Sequence, residues 1–340
     1  MKKFKTSYFF KLFISSIILV SVFTGVAFYW FQGKEKPIIP QEQVKKNNEK
    51  TQINDFNKNP YKHVKTRFAV IGDYGVDNLT EKVVSDLINA WQPDFIATVG
   101  DNRQTDNSYK SLDDLIGKYY HQYIYPYKGE YGRGADSNMF FPSLGNHDWD
   151  LALTCKKDKC NGEWVEFFTL PGNERYYDIV WPQNTRIPLL HLMFLDSDYR
   201  EPDGNSATSK QAIWLQDKLI NSKALWKLVF MHHSPFSSYN SGKKAKSYVN
   251  QWPFEKWGVT AVISGHNHVY ERSEKNGVLY LVTGMAGGPL YEFGETIPES
   301  KMQYNERHGA LFITATDKEI EFSFVNIDNE TIDTFKISAN

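Results

Sequence analysis

An amide, an imidazole and a carboxylate stand in direct succession at Asn146, His147 and Asp148. They follow the apolar run 139–143, which reads as a short buried strand ending in polar groups. Core packing does not need this combination, and each group is costly to bury without a partner. The pattern returns four times: the run 67–71 leads to Asp73, 94–99 to Asp101, 227–231 to His232 and His233, and 259–263 to His266, Asn267 and His268. Five of the nine histidines lie in these junctions. A single buried, hydrogen-bonded histidine would account for one junction but not for five. In open α/β sheets, ligands bind at the C-terminal ends of strands. The donors are carboxylate and amide oxygens and imidazole nitrogens without thiolate, which suits Zn, Fe or Mn rather than Cu(I) or iron–sulfur clusters. They outnumber the needs of one tetrahedral ion. A carboxylate with histidines on both sides fits two ions about 3.5–4 Å apart, the geometry of phosphoryl hydrolysis.

The elements between the junctions are legible. After the first strand, Val84, Leu87, Ile88 and Trp91 share one helical face, and Asn78 with Glu81 forms a capping pair at the helix start. The strand 94–99 follows, so this unit is a right-handed parallel crossover. Residues 111–127 read as a helix running into a tyrosine-rich loop. The strand 189–195 ends at Asp196, and the helix 209–221 places Ala212, Leu215 and Leu219 on one face. The tail alternates over 310–315 and 320–325, two antiparallel strands with a turn at 316–318. Ala286-Gly287-Gly288 reads as a close backbone approach rather than a phosphate cradle. A serine-nucleophile elbow and a P-loop are both missing from the sequence.

Taken together, Gly72-Asp73-Tyr74-Gly75, Gly100-Asp101-Asn102, Gly145-Asn146-His147-Asp148, His232 and Gly265-His266-Asn267-His268 resemble the ordered motifs of calcineurin-like metallophosphoesterases. Gly75 in the first motif, and Val269-Tyr270-Glu271-Arg272 after the last, are similar to the purple acid phosphatase branch, especially its tartrate-resistant type. The resemblance covers roughly residue 67 to the C-terminus. It implies an α/β (α+β) fold of two packed mixed β-sheets flanked by helices, a four-layer αββα sandwich. It also implies that Asp73, Asp101 and His268 hold one metal ion, and that Asp101 bridges to a second held by Asn146, His232 and His266. His147 would contact phosphate as general acid, with Asp148 and His233 behind it, orienting imidazoles or the leaving group. Two divalent or mixed-valence ions (Fe, Zn or Mn) would carry hydroxide for hydrolysis of phosphate monoesters. A phosphodiesterase or nucleotide pyrophosphatase on the same site is the alternative. A metal-poor surface-binding protein is the rival from another class.

One position departs from that branch. Where it places a metal-ligating tyrosine, three residues after the bridging carboxylate, this chain has Gln104. The expectation is a colourless enzyme with a labile first ion, Gln104 or the nearby Tyr109 serving as substitute ligand.

The 340 residues carry a formal charge of −1, which lacks the basic footprint of a nucleic-acid binder. A small phosphorylated substrate is the expected partner. Lys2, Lys3, Lys5 and Lys11 precede the uncharged run 12–31, about the 20 residues a membrane-spanning helix needs. The expectation is an uncleaved anchor within 1–31, a flexible tether over 32–60 and an extracytoplasmic domain over 61–340. Cleavage after Ala27, giving a secreted or periplasmic protein, is the alternative. In such a compartment Cys155 and Cys160 are expected to close a small disulfide loop.

Overall fold

Residues 66–71 are too apolar to face water on either side, and in the computed structural model they form β1 (Thr66–Ile71), buried along nearly all its length. The structure describes residues 61, 64–104, 110–151, 153–156, 159–183, 185–239 and 252–339. Helix α1 (Leu79–Trp91) follows, with Asn78 as its N-cap accepting from the Glu81 amide at 2.9 Å. Glu81 does not return the bond to Asn78. Its carboxylate takes the amides of Gly75, Val76 and Asp77 at 3.2, 2.9 and 2.7 Å, so the helix start holds the loop that leaves Asp73. Burial pushes Glu81 up to about 8, against those three donors.

Strand β2 (Phe95–Thr98) lies parallel to β1 and to the two-residue β3 (Phe140–Phe141), completing the crossover read from the sequence. β3 ends before Pro142, which has no amide to continue a ladder. The first sheet has the order β15-β14-β13-β1-β2-β3, its antiparallel half built by β13 (Gly309–Ala315), β14 (Glu319–Asn326) and β15 (Thr331–Ser338). The second has the order β12-β10-β11-β9-β8-β7-β6. Its parallel centre is β7 (Leu190–Phe194), β8 (Trp226–His233), β9 (Ala261–Gly265) and β11 (Val278–Thr283), flanked by antiparallel β6 (Tyr177–Trp181), β10 (Tyr270–Lys275) and β12 (Ser300–Tyr304).

Both sheets are therefore mixed, and their inner faces share one core. An aromatic chain crosses the seam. Phe68 stacks on Phe95 at 4.6 Å, Phe95 meets Phe141 at 5.7 Å, Phe141 meets Phe194 of the other sheet at 6.2 Å, and Phe194 stacks on Phe230 at 4.8 Å. On the outer face of the second sheet, Ala212, Leu215 and Leu219 of the helix Lys210–Asn221 pack with Met193, Val229 and Val262. On the outer face of the first, Trp91 of α1 lies 4.7 Å from Phe312. The layers are helix, sheet, sheet, helix, as expected.

Three local readings change. The expected helix over 111–127 is a π turn (Asp113–Gly117), one α turn (Lys118–Tyr120) and a 3-10 turn (His121–Tyr123). Asp113 folds back over Gly117, where a Cβ would sit 2.0 Å from its Oδ1. The polar groups that end the 139–143 run open directly into a helix (Asn146–Leu151), and the strand itself is only Phe140–Phe141. The two strand ends at His232 and His266 differ as well, since β8 runs on through His233 while β9 stops at Gly265. Cys160 is disulfide-bonded, and Cys155 faces it in the ladder between Thr154–Lys156 and Lys159–Asn161.

The expected transmembrane, signal-anchor segment and the membrane-anchored localisation are corrected. Among the described residues no helix is long and apolar enough to cross a membrane. The longest, α1, has 13 residues and is amphipathic, against the roughly 20 apolar residues a span requires. Residues 12–31, the tether and Tyr109 lie outside the described residues.

Candidate metal centre

Three of the six expected ligand residues have left-handed backbones: Asp73 (φ 55°), Asp101 (φ 51°) and His266 (φ 67°). Such conformations cost about 1–3 kcal/mol each in non-glycine residues and persist only where surrounding structure over-determines them. Here the surroundings are neighbouring strand ends. Asp73 N donates to Gly100 O at 3.1 Å and Tyr74 N to Asp101 O at 3.2 Å. At Gly145 a Cβ would lie 2.2 Å from the Asp101 amide, so only glycine lets the third junction approach the second. The turns bring Asp73, Asp101, Asn146, His232, His266 and His268 to one edge of the two sheets.

Their donor atoms face one another. His232 Nδ1 donates to Val99 O at 2.9 Å, which leaves Nε2 directed at Asn146 Oδ1 (3.1 Å), His266 Nδ1 (3.2 Å) and Asp101 Oδ2 (3.3 Å). Asn146 Oδ1 is also 3.0 Å from His266 Nδ1. On the other side His268 Nδ1 donates to Pro289 O at 2.7 Å, turning Nε2 to within 3.3 Å of Asp73 Oδ1. That Oδ1 is buried and has no hydrogen bond among the described residues, while Asp73 Oδ2 accepts from His266 N at 2.9 Å. One ligand atom from each of Asp73, Asp101 and His232 lies within 4.8 Å of the others. An orphaned carboxylate oxygen beside converging lone pairs fits a divalent cation.

The electrostatics show the same demand for positive charge. Burial lowers His232, but the Asp101 charge outweighs it and raises the imidazole to about 10. Burial raises Asp101, and His232 and His147 more than reverse this, holding it below the usual carboxylate range. Burial also lowers His268, while Asp73 raises it overall. Burial and the charge of His232 push His266 down to about 4.

His147 sits at the mouth, its side chain 27% exposed. Its amide donates to Asp101 Oδ1 at 2.9 Å, while Nε2 is 3.7 Å from Asp101 Oδ2 and Nδ1 is 3.5 Å from Asp150 Oδ2. Asp148 is fully buried, and its hydrogen bonds go to Gly145 N (2.8 Å), Asn102 N (3.1 Å) and Asn102 Nδ2 (2.8 Å) rather than to an imidazole. It fixes the start of the 146–151 helix against the second junction. Burial, reinforced by Asp101, pushes its carboxyl up to about 7. His233 packs 4.5 Å from the His266 ring. Gln104 is 8% exposed, and its buried Nε2 has no hydrogen-bond partner among the described residues. Its amide donates to Gly75 O at 3.3 Å, so it lies beside the first junction.

Four residues at the site escape sequence reasoning. Ser197 is nearly buried; its Oγ accepts from His233 N at 2.9 Å and lies 2.9 Å from His233 Nδ1. These two contacts from one hydroxyl set the orientation of the His233 ring. Arg200 grips Asp198 at 2.7 and 3.0 Å, pairs with Asp150, and donates to Asn146 O at 2.8 Å. Asp150 stands beside His147. Tyr291 stacks on His268 with centroids 4.1 Å apart and planes 6° from parallel. Burial raises its phenol, with smaller contributions from Asp73, Tyr239 and Asp101. Ser197 and Arg200 follow a strand end that carries acidic residues but no metal-type histidine. Tyr291 lies on a loop without a motif. Nearby Gly288 makes the close approach read from the sequence: a Cβ there would sit 2.6 Å from His268 Cε1.

This fold and this constellation define a calcineurin-like phosphoesterase. Residues 66–270, more than half of the chain, match the family described as Calcineurin-like phosphoesterase, and the chain belongs to it. It is 21% identical over 287 residues to purple acid phosphatase 17 of Arabidopsis thaliana, covering 78% of this chain and 82% of that protein. It is 20% identical over 298 residues to tartrate-resistant acid phosphatase type 5 of Oryctolagus cuniculus, covering 78% and 89%. The solved structure of GAP50, the anchor in the inner membrane complex of Plasmodium, superposes with a TM-score of 0.59 at 19% identity, over 81% of this chain and 89% of that one.

Proposed function

We propose that the chain hydrolyses phosphate monoesters at a two-ion centre. Asp73, Asp101 and His268 would hold one ion, and Asp101, Asn146, His232 and His266 the other. Gln104 would complete the first position through its amide oxygen. The observation that carries this reading is the convergence on His232 Nε2 of three donor atoms within 3.1–3.3 Å. Bound there, two ions supply Lewis acidity to the phosphoryl oxygens and lower the pKa of a water.

The chain's own residues do the rest by positioning. His147, at the mouth and part-exposed, is placed to give a proton to the leaving oxygen. His233, its ring set by Ser197 and its pKa lowered by burial and by His232, would stand behind the site as a neutral imidazole. Asp148 and Arg200 hold the two sides of the helix start from which Asn146 and His147 project. No covalent intermediate is needed.

The test is hydrolysis of an aryl phosphomonoester and the matching diester by the full chain reconstituted with Zn, Mn or Fe. Metal-dependent monoester turnover, reduced by at least about 100-fold in Asp101→Asn, is the expected result. Diester turnover in excess would move the assignment to a phosphodiesterase. Absence of turnover with every metal would leave a binding role.

A further inference from the structure

We propose that Tyr291 is a substrate contact, its phenol donating a hydrogen bond to a phosphoryl oxygen on the Asp73–His268 side of the site. This rests on the phosphatase reading above and names a recognition element within it.

The first observation is an unused hydroxyl in an ordered place. Tyr119, Tyr127, Tyr131, Tyr176 and Tyr270 each donate the phenol to a carboxylate: Asp77, Asp113, Asp114, Asp203 and Asp333 respectively. Tyr291 Oη has no hydrogen-bond partner among the described residues, although its ring is part-buried beside Asp73 and Asp101. The ring is held on both faces, by His268 at 4.1 Å and by Tyr239 at 4.9 Å. Its backbone is held too. Tyr291 N donates to His268 O at 3.0 Å, and Tyr291 O accepts from Asn305 Nδ2 at 2.9 Å. Gly294 N donates to Ser238 O at 2.9 Å and closes the loop behind it. A phenol held this firmly, with no protein acceptor among the described residues, is free to donate to a ligand.

The stacking geometry says which ligand atom. The lone pair of His268 Nε2 lies in the imidazole plane. A ring almost parallel to that plane, 4.1 Å away between centroids, keeps its oxygen out of the plane. That is beyond a metal–oxygen bond of about 2.0–2.2 Å. It leaves the phenol free to donate to an anion oxygen that lies outside the imidazole plane. Tyr291 is therefore a donor to the anion and not a ligand of the metal. An oxyanion with several equivalent acceptor oxygens, such as a phosphoryl group, is what such a donor recognises.

The experiment compares the full chain with Tyr291→Phe, which keeps the ring stack and removes only the oxygen. Both are loaded with Zn, metal content is measured by mass spectrometry, and inorganic phosphate is titrated by calorimetry. The expected result is equal metal content with phosphate binding weakened roughly 10- to 100-fold, the size of one hydrogen bond to a charged group. The kcat/KM for an aryl phosphomonoester should fall by a similar factor. Phosphate binding within about twofold of wild type would overturn the contact, and so would loss of metal in the variant, which would make Tyr291 part of the metal site. A wild-type chain that neither binds phosphate nor turns over would sink the phosphatase reading, and this contact with it.

Discussion

The two sides of the centre are built to different standards. Around Asn146, His232 and His266, two imidazoles and an amide converge within 3.0–3.2 Å, and each is anchored from behind. His232 is tied to Val99, His266 to Asp73, and Asn146 through its carbonyl to Arg200. Around Asp73 and His268 there is one imidazole and, 3.3 Å from it, a carboxylate oxygen with no hydrogen bond among the described residues; beside the first junction lies the buried Nε2 of Gln104, a donor also without a partner there. The first arrangement stays organised through contacts it makes without an ion. The second leaves polar atoms whose burial is unfavourable until something binds them. If the proposed two-ion centre forms, Asp101 would be the carboxylate that joins a preorganised half to a half completed by its ligand.

Removing the shared group should have the largest effect. Asp101→Asn, measured by metal content and turnover, is expected to lose ions from both positions and at least about 100-fold in activity. Removing one imidazole from each half tests the asymmetry itself. In metal analysis after dialysis, His266→Ala should lose the tightly held ion, while His268→Ala should keep it and lose only the exchangeable one. Equal losses would break the comparison.

A smaller effect is expected behind His233. Ser197→Ala frees the imidazole to turn and should lower kcat about 10-fold, the low end for an outer-shell partner, with metal content unchanged and Ser197→Thr restoring the rate. A KM change with constant kcat would assign Ser197 to binding instead. The smallest effect lies at Asp77, just past the first junction. Burial raises this carboxyl, but hydrogen bonds from Lys110, Lys118 and Tyr119 prevail and lower it from 3.8 to about 2. Its stabilisation is therefore complete above the unfolded value and lost as pH falls through the folded one. The melting-temperature gap between wild type and Asp77→Asn should be full at neutral pH and close between 3.8 and about 2.

The better-built half was also the more legible one. Asn146, His232 and His266 announce themselves because metal-type side chains directly follow buried runs, and the strands that carry them follow from apolar content alone. Asp73 and His268 follow such runs too, but the groups beside them do not. Tyr291 reaches His268 through stacking across 23 residues of chain, and Gln104 shows only by its position in a motif. The crossover β1–α1–β2 and the helix 210–221 were readable from periodicity and caps. A strand pair beyond Ile320 at a sheet edge was also expected, but the bounds of β15 were not readable, because its residues are mostly exposed or half-buried and its alternation carries little apolar contrast. The helix expected over 111–127 failed where Asp113 and Gly117 fit each other better in a widened turn.

The most direct measurement is the number of ions that survive dialysis of the full chain against a weak chelator, followed by phosphomonoester turnover as a divalent metal is added back. A preorganised half beside a ligand-completed one predicts one ion retained per chain, little turnover in that state, and recovery as a second ion binds. Two ions retained with equal strength, or turnover that does not respond to the second ion, would contradict it.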